Sequence, residues 1–149
     1  MGGLRPALPI GEIMSITSTQ NITKELIKSP LTLTTSWVNL GDRINTKGLD
    51  DIAMWLNGSL NDSDKVMIRV KCNRNIDDTT GYYTQIQTVS DTAAVLSQEI
   101  YELNSSNIEA VIPLGVSELA PWIQLEIKVN TAGATAASIA EAFVSFSRG

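Results

Sequence analysis

Apolar and polar residues alternate with a period of two through most of this chain. In "DIAMWLNGSL", Ile52, Met54 and Leu56 fall on one side and Ala53 and Trp55 on the other. "KVMIRVKCN" puts Val66, Ile68, Val70 and Cys72 inward and Met67, Arg69 and Lys71 outward. "WIQLEIKVN" repeats this, with Ile123, Leu125, Ile127 and Val129 against Trp122, Gln124, Glu126 and Lys128. "IAEAFVSFSR" sets Ala140, Ala142, Val144 and Phe146 opposite Glu141, Phe143 and Ser145, and "LTLTTSWVNL" aligns Leu31, Leu33, Thr35 and Trp37. Two shorter runs, "IMSITST" and "KELIKS", flank a predicted turn at Gln20 and Asn21. Side chains on a strand point alternately to opposite faces, so this period predicts antiparallel sheet with one packed and one wetted face.

The punctuation agrees. "NLGDRINTKGLD", "NGSLNDSD", "NRNIDDTTG" and "NTAGATA" gather Gly, Asn and Asp, which tolerate turn dihedrals and bond their own backbone. Residues 50–73 thus read as a hairpin of two alternating runs around a polar turn. Turn signals every ~8–15 residues favour a β-sandwich over alternating βα units. "DTAAVLSQEIYELN" fits a helix capped by Asp91, with Leu96, Ile100 and Leu103 on one face, but also alternates as strand. The surrounding β pattern favours strand, because local propensity is a weak prior. The opening "MGGLRPALPIGE" concentrates Gly and Pro, which predicts an extended arm over residues 1–12 ahead of a single domain over 13–149. The arm carries Leu4, Leu8 and Ile10, which a solvated tail would not need, so an arm lying on a neighbouring subunit stands beside a plain terminus as a reading.

Composition narrows the function classes. The 149 residues include 43% apolar and only 18% charged side chains, enough for one core without a disulfide or metal. Net charge is −5, and Lys65, Arg69, Lys71 and Arg74, the nearest thing to a basic cluster, are flanked by Asp62, Asp64, Asp77 and Asp78. Nucleic acid is therefore not an expected partner. Cys72 stands alone and continues an apolar stripe, so a small core residue is the expectation rather than a reactive thiol. No apolar run approaches the ~18 residues of a membrane span, and no signal-peptide pattern opens the chain. Expression and use without secretion are expected, with the sequons at Asn21, Asn57, Asn61 and Asn104 as chance products of composition.

Catalytic chemistry finds no foothold. The absence of histidine excludes the usual triads and any His-containing zinc site, and there is no P-loop or GxGxxG. Asp50–Asp51 and Asp77–Asp78 are adjacent pairs, better suited to turns than to a shared cleft. "NDSD" (61–64) could offer oxygens to calcium but lacks EF-hand spacing. No cofactor is expected. Trp37, Trp55 and Trp122 each sit in an apolar run, which favours core or interface over a sugar platform. Trp55 and Trp122 lie opposite their strands' aliphatic stripes, marking them for contact between subunits or a second packed layer.

The runs "SWVNLGDRINTKGLDDIAMWLNGSLNDSDKVMIRV" and "YELNSSNIEAVIPLGVSELAPWIQLEIKVNTAGATAASIAEAFVSF" resemble small structural proteins of tailed bacteriophages. The likeness rests on Trp37, Leu40 and Gly41, on Ile44 to Gly48, on Pro121 to Ile127 and on Gly133 to Ala136. It spans most of residues 31–147, with no signature catalytic residue. It implies a jelly-roll-like β-sandwich on the virion, specifically a capsid decoration (cement) protein on the head exterior. Such proteins commonly sit as trimers over junctions between major capsid subunits. The competing readings are a receptor- or glycan-binding module of a tail fibre or tailspike, and a small depolymerase using carboxylates alone. The expectation is a non-enzymatic structural protein, made in the host cytoplasm and carried on the particle.

Overall fold

The computed structural model describes residues 20–89, 94–98, 100–114 and 121–148. Thirteen strands occur among them and no helix: β1 Gln20–Glu25, β2 Leu31–Thr32, β3 Val38–Asn39, β4 Ile44–Asn45, β5 Asp51–Ser59, β6 Val66–Asn73 and β7 Tyr82–Tyr83, followed by β8 Gln85–Val89, β9 Ala94–Gln98, β10 Ile100–Leu103, β11 Asn107–Leu114, β12 Trp122–Val129 and β13 Ser138–Arg148. The protein is all-β, two antiparallel sheets packed face to face as a β-sandwich. The predicted arm over residues 1–12 lies outside the described residues.

Sheet A runs β1-β13-β5-β11, with β2 also on β13; sheet B runs β10-β6-β12-β3, with β4 on β12 and β7 on β6; β8 and β9 pair separately. β1 and β2 occupy successive stretches of the same edge of β13. β3 and β4 likewise share one edge of β12, and β10 and β7 one edge of β6. Counting each such pair as one strand and setting the β8–β9 hairpin apart leaves eight strands in two four-stranded sheets. Sheet A holds the first, eighth, third and sixth, and sheet B the second, seventh, fourth and fifth. Six of the seven connections therefore cross between sheets.

The core lies between them. Ile52, Met54 and Leu56 of β5, with Ala142 and Val144 of β13, meet Val66, Ile68 and Val70 of β6 and the β12 stripe Ile123, Leu125, Ile127 and Val129. Alternation placed these side chains correctly. Cys72 packs partly buried against the same core, and burial pushes its thiol pKa up, as expected of a core residue. Residues 94–98 and 100–103 are strands, as the β context implied.

Several local expectations are corrected. The runs at 50–59 and 66–73 do not form a hairpin: β5 pairs β11 and β13, while β6 pairs β10, β12 and β7. The turn begins later than "NGS" suggested, since Asn57, Gly58 and Ser59 continue β5. Asn61 supplies the left-handed residue at φ 52°, and its Nδ2 donates to the Ala136 carbonyl at 2.6 Å. Gln20 and Asn21 are not a turn but the start of β1, opposite Arg148 and Ser147. The 31–40 run is split, because β2 belongs to sheet A and β3 to sheet B, so the chain crosses the sandwich between them. On β13 a register shift between Ile139 and Glu141 turns Ala140 outward and seats Ile139 in the core.

Candidate interaction face

The two outer faces differ. On sheet B, β12 was expected to present a wetted row, yet Trp122, Gln124 and Glu126 are only 2%, 6% and 6% exposed. A second layer covers them. The Gln124 Nε2 donates to the Gly41 carbonyl at 2.7 Å. Glu126 accepts from Arg69 at 2.7 and 2.8 Å and from the Tyr83 hydroxyl at 3.2 Å, with the Lys71 ammonium 3.4 Å away. The Arg69 guanidinium lies 4.1 Å over the Trp37 ring and 3.8 Å over Tyr83. Trp122 sits beneath Arg43, 4.7 Å from its ring centroid, and its Nε1 donates to the Asn75 carbonyl at 3.2 Å. Of the two roles open to Trp122, the packed second layer is the one its geometry fills; it has almost no surface left for a subunit contact.

Sheet A has no such cover among the described residues. The ladders place Val111, Trp55 and Phe143 side by side across β11, β5 and β13, with Glu25 of β1 next in line. One step along lie Pro113, Ala53, Ser145 and Thr23; one step the other way lie Glu109, Asn57 and Glu141. Trp55 is 39% and Val111 49% exposed. The Trp55 and Phe143 rings stack at 5.7 Å and 8°, and the Trp55 Nε1 donates to the Ser145 Oγ at 2.7 Å, so the indole has its polar atom satisfied and its ring held in place. A shallow groove continues past Trp55 between Asp51, Ala53, Pro113 and Ser147. The result is an apolar centre with carboxylates at its margins: Glu109 and Glu141 toward one end, Asp51 toward the other, and Glu25 at the β1 side. Lys28 lies beside Glu25 and Glu141 in a hollow at the edge.

Trp55 is therefore the one interface candidate from the sequence that is described and exposed. Leu4, Leu8 and Ile10 lie outside the described residues. Phe143, Val111 and Pro113 were not singled out; the signal was present in "NIEAVIPL" and "IAEAFVSFSR", where apolar residues occupy both faces of a strand.

The acidic loops have local duties. The Asp62 carboxylate accepts from the Thr135 amide at 3.0 Å, and Asp64 accepts from the Asn130 Nδ2 at 3.1 Å, tying the 60–65 and 130–136 loops together. Among the described residues no group of three or more Asp, Glu or Cys converges as a metal site. In the 73–81 loop, Asn73, Asn75 and Asp78 each accept from the amide two residues on, at 2.8, 3.1 and 2.8 Å. The Thr80 amide, foremost, holds the Asp78 carboxyl below the ordinary aspartate value. A lowered native pKa stabilises the loop above the unfolded-state value, and that contribution is lost as pH falls through the native one. Amide protection at Thr80 is thus expected to hold down to the ordinary aspartate range and fade below it, and Asp78→Asn should flatten the dependence; protection indifferent to acid would refute the assignment. No protein-family model matches the chain, and no curated protein matches its sequence.

Proposed function

We propose that this chain is a structural protein of a tailed-phage particle, most specifically a decoration protein that binds the outer head surface and stabilises the shell through contacts with the major capsid protein and with its own copies. The observation that carries the reading is the apolar face around Trp55, Phe143 and Val111, bare among the described residues, with its acidic margin. Exposed apolar patches on an otherwise closed fold mark surfaces that meet other proteins. The strand order adds support. Two four-stranded sheets ordered first-eighth-third-sixth and second-seventh-fourth-fifth support the jelly-roll reading, a design that many capsid proteins use. The resemblance noted in residues 31–147 points the same way. A protein of this kind acts by area and fit, and a stable contact needs ~1,200–2,000 Å² in total.

Purified protein is expected to co-sediment with heads that lack it and to run in solution as a trimer of the 16.1 kDa protomer. Deleting residues 1–12 should weaken head retention about tenfold or more, equivalent to ~1.4 kcal/mol, while leaving the β-sheet circular dichroism of the protomer unchanged. Equal retention of the truncated protein would remove the arm from the interface; failure of the intact protein to bind heads would remove the decoration role. The stacked Trp55–Phe143 pair also favours a second reading, a glycan-binding tail module. That reading requires sugar binding in a glycan screen that Trp55→Ala abolishes, and a blank screen counts against it.

A further inference from the structure

We propose that the outer face of sheet A is the seat for residues 1–11 of a neighbouring copy of this chain, an inference that rests on the homo-oligomeric reading above. The face is poorly matched to itself in a second copy, because its margin is mostly acidic, with Glu25, Glu109, Glu141 and Asp51 against Lys28 beside the first and third of them. Its partner must bring apolar side chains without further negative charge. "MGGLRPALPIG", the arm short of its last residue, has that chemistry: Leu4, Leu8 and Ile10, with Arg5 as its one charged side chain and Glu12 following at the end nearer β1. Pro6 and Pro9 oppose a helix and favour an extended form, in which eleven residues reach ~34 Å. Four strands at ~4.8 Å spacing are ~15 Å across, so the segment is long enough to cross the face.

The point of attachment favours a neighbour over the same chain. The segment joins β1 at Gln20, at the edge of sheet A, opposite the far end of β13. To cover its own face it must reverse within residues 12–19, "EIMSITST", which offer a turn only Ser15 and Ser18, contain no Gly, Pro, Asn or Asp, and include the β-branched Ile13, Ile16, Thr17 and Thr19. By composition such a stretch suits β extension better than a reversal, which favours a seat on another copy over one on the same chain. A segment on one copy seated in a face of the next is a heterologous contact, which closes into a ring when the rotation allows.

The test places the photoreactive amino acid p-benzoylphenylalanine at exposed Val111 in the full-length chain, irradiates the purified protein and maps the cross-links by mass spectrometry. The expected product joins position 111 to residues 1–11 and migrates at the mass of two protomers or more. Leu8→Asp should lower its yield about tenfold, since a buried leucine contact is replaced by a charge facing acids. An oligomer by solution mass whose cross-links avoid residues 1–11 would overturn this seat and leave the assembly reading standing. A monomer by mass would overturn the assembly reading itself. The same cross-link formed within a single protomer would show that the segment covers its own chain, contrary to the proposal.

Discussion

Gly58→Ala is expected to destabilise the protein by ~3 kcal/mol or more, a large share of the stability of an ordinary domain. Gly58 lies on β5 between Ile108 of β11 and Ile139 of β13. A methyl group there would come 2.9 Å from the Ile139 Cα and closer still to the Ser138 carbonyl oxygen. Both are backbone atoms, and they sit where β13 shifts register, so no side chain can swing aside to make room. The central pair of sheet A must part locally. Gly48→Ala is the control, because Gly48 has φ +79° with nothing within 4 Å of the added carbon. Its cost should be only the left-handed strain, ~1–2 kcal/mol. Urea unfolding of both variants checks the ranking, and a Gly58→Ala protein as stable as its parent would mean that β13 does not approach β5 as described.

Gly58 also shows where reading the sequence stops short. Alternation finds the strands and their inward faces, since each inward side chain is chosen by the same requirement to exclude water. It carries no information about partners. The runs around Met54 and Ile68 have equal rights to be neighbours, and the turn chemistry between them suits a hairpin or a crossing between sheets equally well. What decides is the rest of the sandwich: β11 and β13 occupy both edges of β5, and β12 on one side with β10 and β7 on the other occupy both edges of β6. "NGS" looked like a turn because Asn and Gly favour turns, yet here glycine is needed for close approach of a neighbouring backbone.

The candidate face was half legible for a related reason. A tryptophan opposite an aliphatic stripe announces a second apolar surface, but Trp55 and Trp122 make that announcement in the same way. Their fates separate only in three dimensions. Trp122 meets Arg43 and the 73–81 loop, contributed from more than forty residues away, whereas Trp55 meets Phe143 in its own sheet and nothing above it among the described residues. The acidic margin is a property of ladder register, and register is what a single strand's sequence cannot report.

Glu126→Ala is expected to cost ~3 kcal/mol or more, because it breaks a buried ion pair from one side. The Glu126 side chain is 8% exposed and that of Arg69 14%. Without the carboxylate, Arg69 keeps its two flanking rings but faces Lys71, which lies 3.4 Å from Glu126, and Lys128, which shares the Trp37 ring at 4.9 Å. Three cations then share one layer with their anion gone. The double variant Arg69→Met with Glu126→Leu should recover most of the loss, since matched apolar groups of similar volume often replace a buried pair at little cost. Arg69→Lys should not rescue function of the layer, because a single ammonium cannot lie flat between Trp37 and Tyr83 while donating twice to a carboxylate. A double-mutant cycle by urea unfolding measures this directly, with an expected coupling of ~2 kcal/mol. Additive single effects would mean that Arg69 and Glu126 stabilise sheet B independently, and that the wetted face the alternation first implied describes β12 better than a packed second layer.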